Sequence, residues 1–445
     1  MAEVVHGKCT PQFEKVRTLL QQFIESGEEV GASIAVNVDG EDVVNLWGGY
    51  ADPVTKRPWT EDTIVGVASS TKMITSLAVL MLVDSGAVSS VHDKVSRYWP
   101  EFAANGKEGV EIRHLLSHTS GVAGWDDDGI SMDEVCDDPV GSSDKLARQP
   151  PWWEPGTASA YHAWTFGHLL GRVARAATGL GLKQFVAERI AAPLGADFQI
   201  GLRDEDADRV AVSVAASAGT KPAADFKPGP LFMKAIMNPK LPPDVGSRAA
   251  WRKGEIGASN GYSNAYAMNK ILSTITLAGR DGSENFKPLL SKQTADLILN
   301  EQSNGMDLAI GVPIRFGIGY ALKGDGDWVD DWIPKGEIAY WGGSGGSLGI
   351  MDIGRKVTIT YAMNKRSASL IGNTASKVYV RAIYEALGPY HTVWVAKTLN
   401  HTPWPTNTAN CSCDNLIPKD WLAAAPRACT RANTKHRPLK TPKMN

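Results

Sequence analysis

Residues 66–86 read Gly-Val-Ala-Ser-Ser-Thr-Lys-Met-Ile-Thr-Ser-Leu-Ala-Val-Leu-Met-Leu-Val-Asp-Ser-Gly. From Met73 to Val83 the run is apolar almost all round, which predicts a helix buried on every side. Gly86 is a natural stop. At the mouth of this helix stand Ser69 and Lys72. Residues three apart share a helical face, so Lys72 lies one turn beyond Ser69 on the same side. A lysine entering an apolar helix needs a partner or a role. Burial favours its neutral amine, which can take the proton of a serine hydroxyl. The helix N-terminus adds a partial positive charge beside the developing anion. The plainer alternative is a serine N-cap followed by a surface lysine. Ser70 has no such partner, because the residue three positions on is Met73.

Working outward, the bulk properties narrow the class. A chain of 445 residues fits one large domain or two modest ones. An apolar fraction of 43% and a formal charge of -2 suit a globular protein. Without a basic excess there is no pointer to nucleic acid. No apolar stretch is long enough to span a membrane. The start, Met1 to Val16, lacks the basic-then-apolar layout of a secretory signal. Five cysteines in so long a chain make no disulfide scaffold, and a cytoplasmic, reducing compartment is expected.

Three stretches are expected: an N-terminal extension at 1–10, a domain at 11–388, and a tail at 389–445. The tail is poor in periodic apolar residues and rich in Pro, Asn, Thr and basic residues, a composition that favours disorder. Its Cys411 and Cys413 lack a second pair at zinc spacing, so neither metal nor cofactor is expected. Within the domain, helical spacing predicts a helix near 11–28. Ile34, Val36 and Val38 alternate before Asp39-Gly40, and Val43 to Trp47 return, which is a β-hairpin. Helices follow at Thr165–Ala176 and Leu182–Ile190, then strands near Ser347–Ile353 and Lys356–Met363. A last helix, about Ser376–Leu387, stops at Gly388-Pro389. The economical fold is α/β of the α+β type. An antiparallel sheet is built from both chain ends, flanked by helices, with an inserted helical region, and the site lies in a cleft between the parts.

A serine–lysine pair needs a proton relay and oxyanion donors. The run Trp152 to Ala163 offers the relay. Its Pro155-Gly156 turn is expected to deliver Tyr161 to the start of a helix, where nearby Lys72 eases loss of the phenolic proton. A packing tyrosine is the alternative. His162 diverges from Tyr161 by about 100° on a helix, so the two do not face one serine. The run Trp341-Gly342-Gly343-Ser344-Gly345-Gly346-Ser347 offers the donors. Its glycines allow close backbone approach, and the N–H of Ser344 can pair with that of Ser69. An ordinary glycine-rich turn is the alternative. Gly342–Gly346 also matches G-x-S-x-G, the nucleophile elbow of α/β-hydrolases, as does Gly345–Gly349. That elbow needs a following helix and a downstream acid and histidine. Here a strand pattern follows, and the later histidines, His391, His401 and His436, all fall in the tail.

Taken together, S-S-T-K at 69–72, R-H-L-L-S-H-T-S-G at 113–121, W-E-P-G-T-A-S-A-Y at 153–161 and W-G-G-S-G-G-S at 341–347 come in one order. Lesser echoes are V-H-D-K-V-S-R-Y-W-P-E-F at 91–102 and F-G-I-G-Y at 316–320. Over residues 11–388 the chain resembles the serine β-lactamase-like superfamily. Within it, the likeness is to the esterase branch: family VIII carboxylesterases and related fungal acyltransferases such as lovastatin acyltransferase. The resemblance implies a β-lactamase/transpeptidase-like fold with Ser69 as nucleophile, Lys72 as general base and Tyr161 as the relay to the leaving alcohol. The backbone of Ser69 and Ser344 would form the oxyanion hole. Trp341, with Gly342 and Gly343, would border the substrate where β-lactamases carry the lysine of K-T-G. His114 and His118 belong to a motif that looks structural, and no third metal ligand accompanies them.

Two departures bear on substrate. Tyr161-His162-Ala163 stands in place of Tyr-x-Asn, and Trp341 in place of the lysine. Both favour neutral esters over anionic β-lactams. The expected activity is hydrolysis of carboxylic esters or lactones of small hydrophobic molecules through an acyl-enzyme at Ser69. The alternatives are transfer of the acyl group to an alcohol acceptor of a secondary metabolite, and a catalytically silent scaffold. Residues 122–152, with Trp125 and Trp152, and 219–256, with Phe226, Phe232, Met233 and Trp251, are expected to line the pocket. The acidic runs Asp126-Asp127-Asp128 and Asp137-Asp138 read as solvated loops.

Overall fold

The computed structural model describes residues 4–215, 227–242, 244–280 and 287–389. The N-terminal hairpin forms as its alternation requires. Gly31–Val38 pairs antiparallel with Glu41–Asp52, Val36 facing Val44. Asp39 and Gly40 turn the corner with φ of 49° and 90°, the left-handed pair that a tight hairpin needs. Far along the chain, Leu348–Asp352 and Val357–Met363 form a second hairpin. Its outer strand pairs with Gly31–Val38, with Ile359 opposite Val36. The two chain ends are therefore joined at the middle of one sheet.

From edge to edge the order is Val5–Cys9, Glu41–Asp52, Gly31–Val38, Val357–Met363, Leu348–Asp352, Ile338–Gly342, Ala321–Leu322, Pro313–Phe316 and Ser303–Met306, with Arg57–Pro58 beside Glu41–Asp52. Residues 5–9 are thus an edge strand of the sheet, not an extension outside the domain. Val5 alone in that strand is fully buried, so its sequence lacks the alternation that would have marked it. What holds it is backbone pairing, from Val5 opposite Gly48 to Cys9 opposite Val44.

Alternation along Val357–Met363 sends its side chains to two helical layers. Thr358 and Thr360 face the helix Ala265–Thr276. Thr360 Oγ1 donates to Ala265 O at 2.7 Å, and Asn269 Nδ2 bridges Ala35 O and Thr358 O at 3.1 and 2.9 Å. Tyr361 faces the opposite way, toward the terminal helices Glu14–Ser26 and Thr374–Leu387, where Phe23 meets Tyr379 edge-on at 5.5 Å.

The predicted apolar helix is Thr71–Asp84, and eleven of its fourteen residues are buried. Each fully buried leucine or isoleucine there contributes roughly 2 kcal/mol. Met73 packs so closely on the sheet that a Cβ at Gly349 would stand 2.7 Å from its Cε. Most of the remaining helices occur between residues 112 and 253, including Thr165–Thr178. The expected helix from Leu182 closes at Val186 and passes into a wider π-type turn, Ala187–Ala191. A small second sheet, Val65–Gly66, Gly261–Ser263 and Phe198–Ile200, leads straight into Ser69.

Candidate active site

The chain leaves the small sheet at Gly66 and reaches Ser69 through Ala68, whose φ of 47° lies in the left-handed region that a non-glycine residue enters at a cost. Surrounding bonds hold the turn. Thr71 Oγ1 donates to Ala68 O at 2.6 Å and accepts from Gly261 N at 2.9 Å. Thr75 Oγ1 donates to Gly257 O at 2.6 Å. From the other side, Tyr320 Oη donates to Met73 O and Ser76 Oγ to Gly319 O, each at 2.8 Å. The F-G-I-G-Y echo at 316–320 thus braces the helix that follows Ser69.

Lys72 is 2% exposed. Its Nζ lies 2.8 Å from Ala163 O, 2.8 Å from Ala258 O and 3.4 Å from Ser69 Oγ. Burial alone pushes its pKa well below the ordinary lysine value. A neutral amine has two N–H donors and one lone pair. The two carbonyls take the donors, which leaves the lone pair for the hydroxyl proton of Ser69.

Tyr161 is brought to the same place from an irregular segment. The helix that follows begins only at Thr165, so the expected helical start at Tyr161 is not found. Lys72 Nζ sits 4.7 Å from the centre of its ring. Tyr161 Oη accepts from Trp341 Nε1 at 3.3 Å, and Ser69 is near enough to act on the phenol. Burial drives the phenol pKa up, against the pull of Ser69 and Trp341, and the charge of Asp307 adds to the rise. The expectation that Tyr161 loses its proton readily is therefore reversed. It is a neutral phenol, and the role open to it is proton donor.

Behind Tyr161 lies His118, with ring centres 5.0 Å apart; Phe316 and Phe166 pack on the same imidazole at 4.8 and 4.9 Å. Burial keeps His118 neutral, and a charge on either His162 or Lys72 would push its pKa lower still. His162 is spoken for: Ser120 Oγ lies 2.7 Å from its Nε2 and Ala160 O 2.6 Å from its Nδ1. His114 closes a capping box with Glu111. Both histidines of the 113–121 motif are thus framework groups.

The glycine run begins at the end of the strand Ile338–Gly342, an element the sequence did not announce. A Cβ on Gly343 would overlap the Val67 carbonyl oxygen and Ser347 Oγ, so only glycine allows this approach to the nucleophile turn. Ser347 Oγ donates to Val67 O at 2.7 Å and pairs with Ser70 Oγ at 2.9 Å. Ser70 is therefore a latch residue. Ser344 follows Gly343, and its O and Oγ each accept from an Arg366 guanidinium nitrogen at 3.2 Å. Among the described residues, neither the Ser69 nor the Ser344 amide donates to a protein acceptor. A strand, Leu348–Asp352, follows the run, which disposes of the α/β-hydrolase elbow.

The run is buttressed from behind. A Cβ on Gly346 would stand 2.7 Å from Asn373 Nδ2, which donates to Tyr361 Oη at 3.1 Å. Tyr361 Oη donates in turn to Glu29, a buried carboxyl whose pKa burial raises to about 8 against that bond.

The expected pocket walls divide. Trp125 is fully buried, its Nε1 donating to Ser142 O at 2.8 Å and its ring edge-on to His168. It is a core residue, not a pocket wall: its indole N–H found a carbonyl inside. Trp152 is half-buried, bonded to Asp126 and covered by Lys234 Nζ at 4.4 Å. Trp251 packs edge-on against Trp164, and Met233 is 69% exposed. Phe226 and the tail from 390 lie outside the described residues. Asp126 and Asp127 pair with Lys234 and Lys145. Among the described residues no group of three or more His, Cys, Asp or Glu side chains is arranged to hold a metal. No helix among them is long and apolar enough to cross a membrane. Sequence reasoning missed Ser347, Arg366 and Asp307, because no local pattern ties any of them to its partner.

A sheet closed by both chain ends, with a buried helix opening on Ser69, defines the β-lactamase/transpeptidase-like fold. The chain belongs to the beta-lactamase family, whose model matches residues 16–376. It is similar to the Esterase/beta-lactamase LipL of Mycobacterium tuberculosis (strain ATCC 25618 / H37Rv), 29% identical over 380 residues, 82% of this chain and 84% of LipL. Among solved structures it resembles a family VIII carboxylesterase, with 33% identity and a TM-score of 0.77 over 86% of this chain and 99% of that one. Simvastatin synthase (LovD) from Aspergillus terreus shares the fold at 19% identity, TM-score 0.64, over 87% of this chain and 100% of that one.

Proposed function

We propose that the protein is a serine hydrolase that cleaves carboxylic esters or lactones of small hydrophobic molecules through an acyl-enzyme on Ser69. The observation that carries this reading is the seat of Lys72: a buried Nζ lying 2.8 Å from two carbonyl oxygens and 3.4 Å from Ser69 Oγ, with its pKa lowered by burial. Ser69 gives its proton to Lys72 as Oγ attacks the ester carbonyl, and the oxygen that gains charge is met by the amides of Ser69 and Ser344. As the C–O bond breaks, Tyr161 protonates the leaving alcohol, and the Lys72 ammonium restores the phenol. Water then repeats the sequence in reverse and releases the acid. Trp341, tied to Tyr161, stands where β-lactamases carry the lysine of K-T-G, which favours neutral substrates. The free thiols Cys9 and Cys136 fit a cytoplasmic setting.

Hydrolysis of p-nitrophenyl acetate and butyrate by wild type, Ser69→Ala and Ser344→Ala tests the assignment. Loss of activity in Ser69→Ala with retention in Ser344→Ala is expected, since Ser344 serves through its backbone. The opposite pattern overturns it. Added alcohol acceptors separate hydrolysis from acyl transfer by the ratio of free acid to new ester. Absence of fluorophosphonate labelling in folded protein identifies a silent scaffold.

A further inference from the structure

Residues 158–163, from which Tyr161 reaches the site, have no regular secondary structure. The phenol must nonetheless stay against Ser69 and Lys72 through two proton transfers. A buried carboxylate 146 residues away holds the backbone beneath it. Asp307, 1% exposed, accepts the Tyr161 N–H on Oδ1 at 3.0 Å. The same oxygen accepts from Ala309 N at 2.9 Å and Ile310 N at 3.0 Å. Leu308 N donates to Ser159 O at 2.8 Å, two residues before Tyr161, while Asp307 N and Gly311 N close the turn on Val312 O and Asp307 O. The turn 307–312 is rigid in itself and joined to 159–161 at two points.

We propose that Asp307 is the positioning residue of the relay: its carboxylate fixes the backbone from which Tyr161 points at Ser69. This inference rests on the Ser69–Lys72–Tyr161 reading. A buried carboxylate bearing three N–H donors is a fixed anchor, because leaving any of those donors unpaired in the interior is costly. Its charge also works on the phenol directly, helping to keep the proton that Tyr161 must donate. Asp307 touches no reacting atom. Its effect passes through Tyr161, by the amide bond and by its charge on the phenol.

The test uses the full chain and an alkyl ester, ethyl butyrate, whose leaving alcohol needs a proton donor. Asp307→Ala is expected to lower kcat about 100-fold with KM within about threefold of wild type, the signature of a displaced proton donor. Asp307→Asn keeps an acceptor oxygen at the same place and is expected to recover kcat to within about fivefold. A folded Asp307→Ala protein with wild-type kcat overturns the proposal, as does an Asn variant no better than the Ala variant. If the Ala variant fails to fold, Asp307→Glu decides: it keeps the charge but moves the acceptor by one methylene, and wild-type kcat in that variant overturns the proposal. Ser69→Ala is assayed alongside. Activity surviving in Ser69→Ala refutes the nucleophile assignment itself, whereas an inactive Ser69→Ala beside a fully active Asp307→Ala refutes the anchor alone.

Discussion

The two sides of the site are built by opposite means. Ser69 and Lys72 belong to one continuous stretch, a strained turn running into a buried helix, and four residues of sequence set their spacing. Tyr161 and Ser344 come from irregular segments that other parts of the chain must hold in place. The first side is local and stiff. The second is an assembly, and each of its supports is a separate point at which the site can be loosened.

The sharpest way to break this contrast is to remove one group from each side. Ser69→Ala should abolish ester hydrolysis, a loss of about 10^4-fold or more in kcat/KM. Lys72→Met should cost about 10^3- to 10^4-fold. The base works only unprotonated, so wild-type kcat/KM should fall as pH drops through the depressed Lys72 pKa and hold steady above it. A rate that instead rises only toward the ordinary lysine range would show that Lys72 is not buried as described. Tyr161→Phe should lose about 10^2- to 10^3-fold, since some leaving groups depart without a proton donor. The deficit should shrink for p-nitrophenolate, a good leaving group, and grow for alkyl esters. If Tyr161→Phe were as damaging as Ser69→Ala on p-nitrophenyl esters, the two sides would not differ as argued.

Smaller effects probe the supports. Glu29 is a carboxyl whose folded pKa, about 8, stands above its ordinary 4.5. Between those values the folded state binds a proton that the unfolded state has lost. This contribution is therefore fully present below pH 4.5 and disappears as pH rises through 8. Glu29→Gln should match wild type near pH 5 and exceed it at pH 9 by roughly 4 kcal/mol, read from thermal or urea unfolding. No change in the difference across that range would remove Glu29 as a titrating group. Ser347→Ala, which takes away the latch to Val67 and Ser70, should cost about 1 kcal/mol of stability and a few-fold in kcat.

What the sequence revealed follows the same division. The nucleophile helix was legible because its apolar run is continuous, and the N-terminal hairpin because its alternation and Asp39-Gly40 turn are local signals. Tyr161 was legible as a residue through its motif, but not in its conformation or protonation, since burial among His118, Trp341 and Lys72 is a tertiary fact. Val5–Cys9 escaped notice because only Val5 faces the core. Trp125 was misplaced because an aromatic residue in a loop looks the same whether it faces a ligand or, as here, a carbonyl on a neighbouring helix. Asp307 left no signal, for an aspartate before Gly311 reads as an ordinary turn residue. Ser70 lacks a lysine three residues on, and its bond to Ser347, 277 residues away, was beyond any local reading.

The two carbonyls that accept from Lys72 have one more consequence. They belong to Ala163 and Ala258, 91 and 186 residues along the chain. A base made neutral by burial is not a base until both segments have docked around it. In a half-assembled chain the amine meets water, takes up a proton and falls silent. On the proposed mechanism, reactivity at Ser69 would gauge completed folding, and a fluorophosphonate added during refolding would count finished molecules one by one.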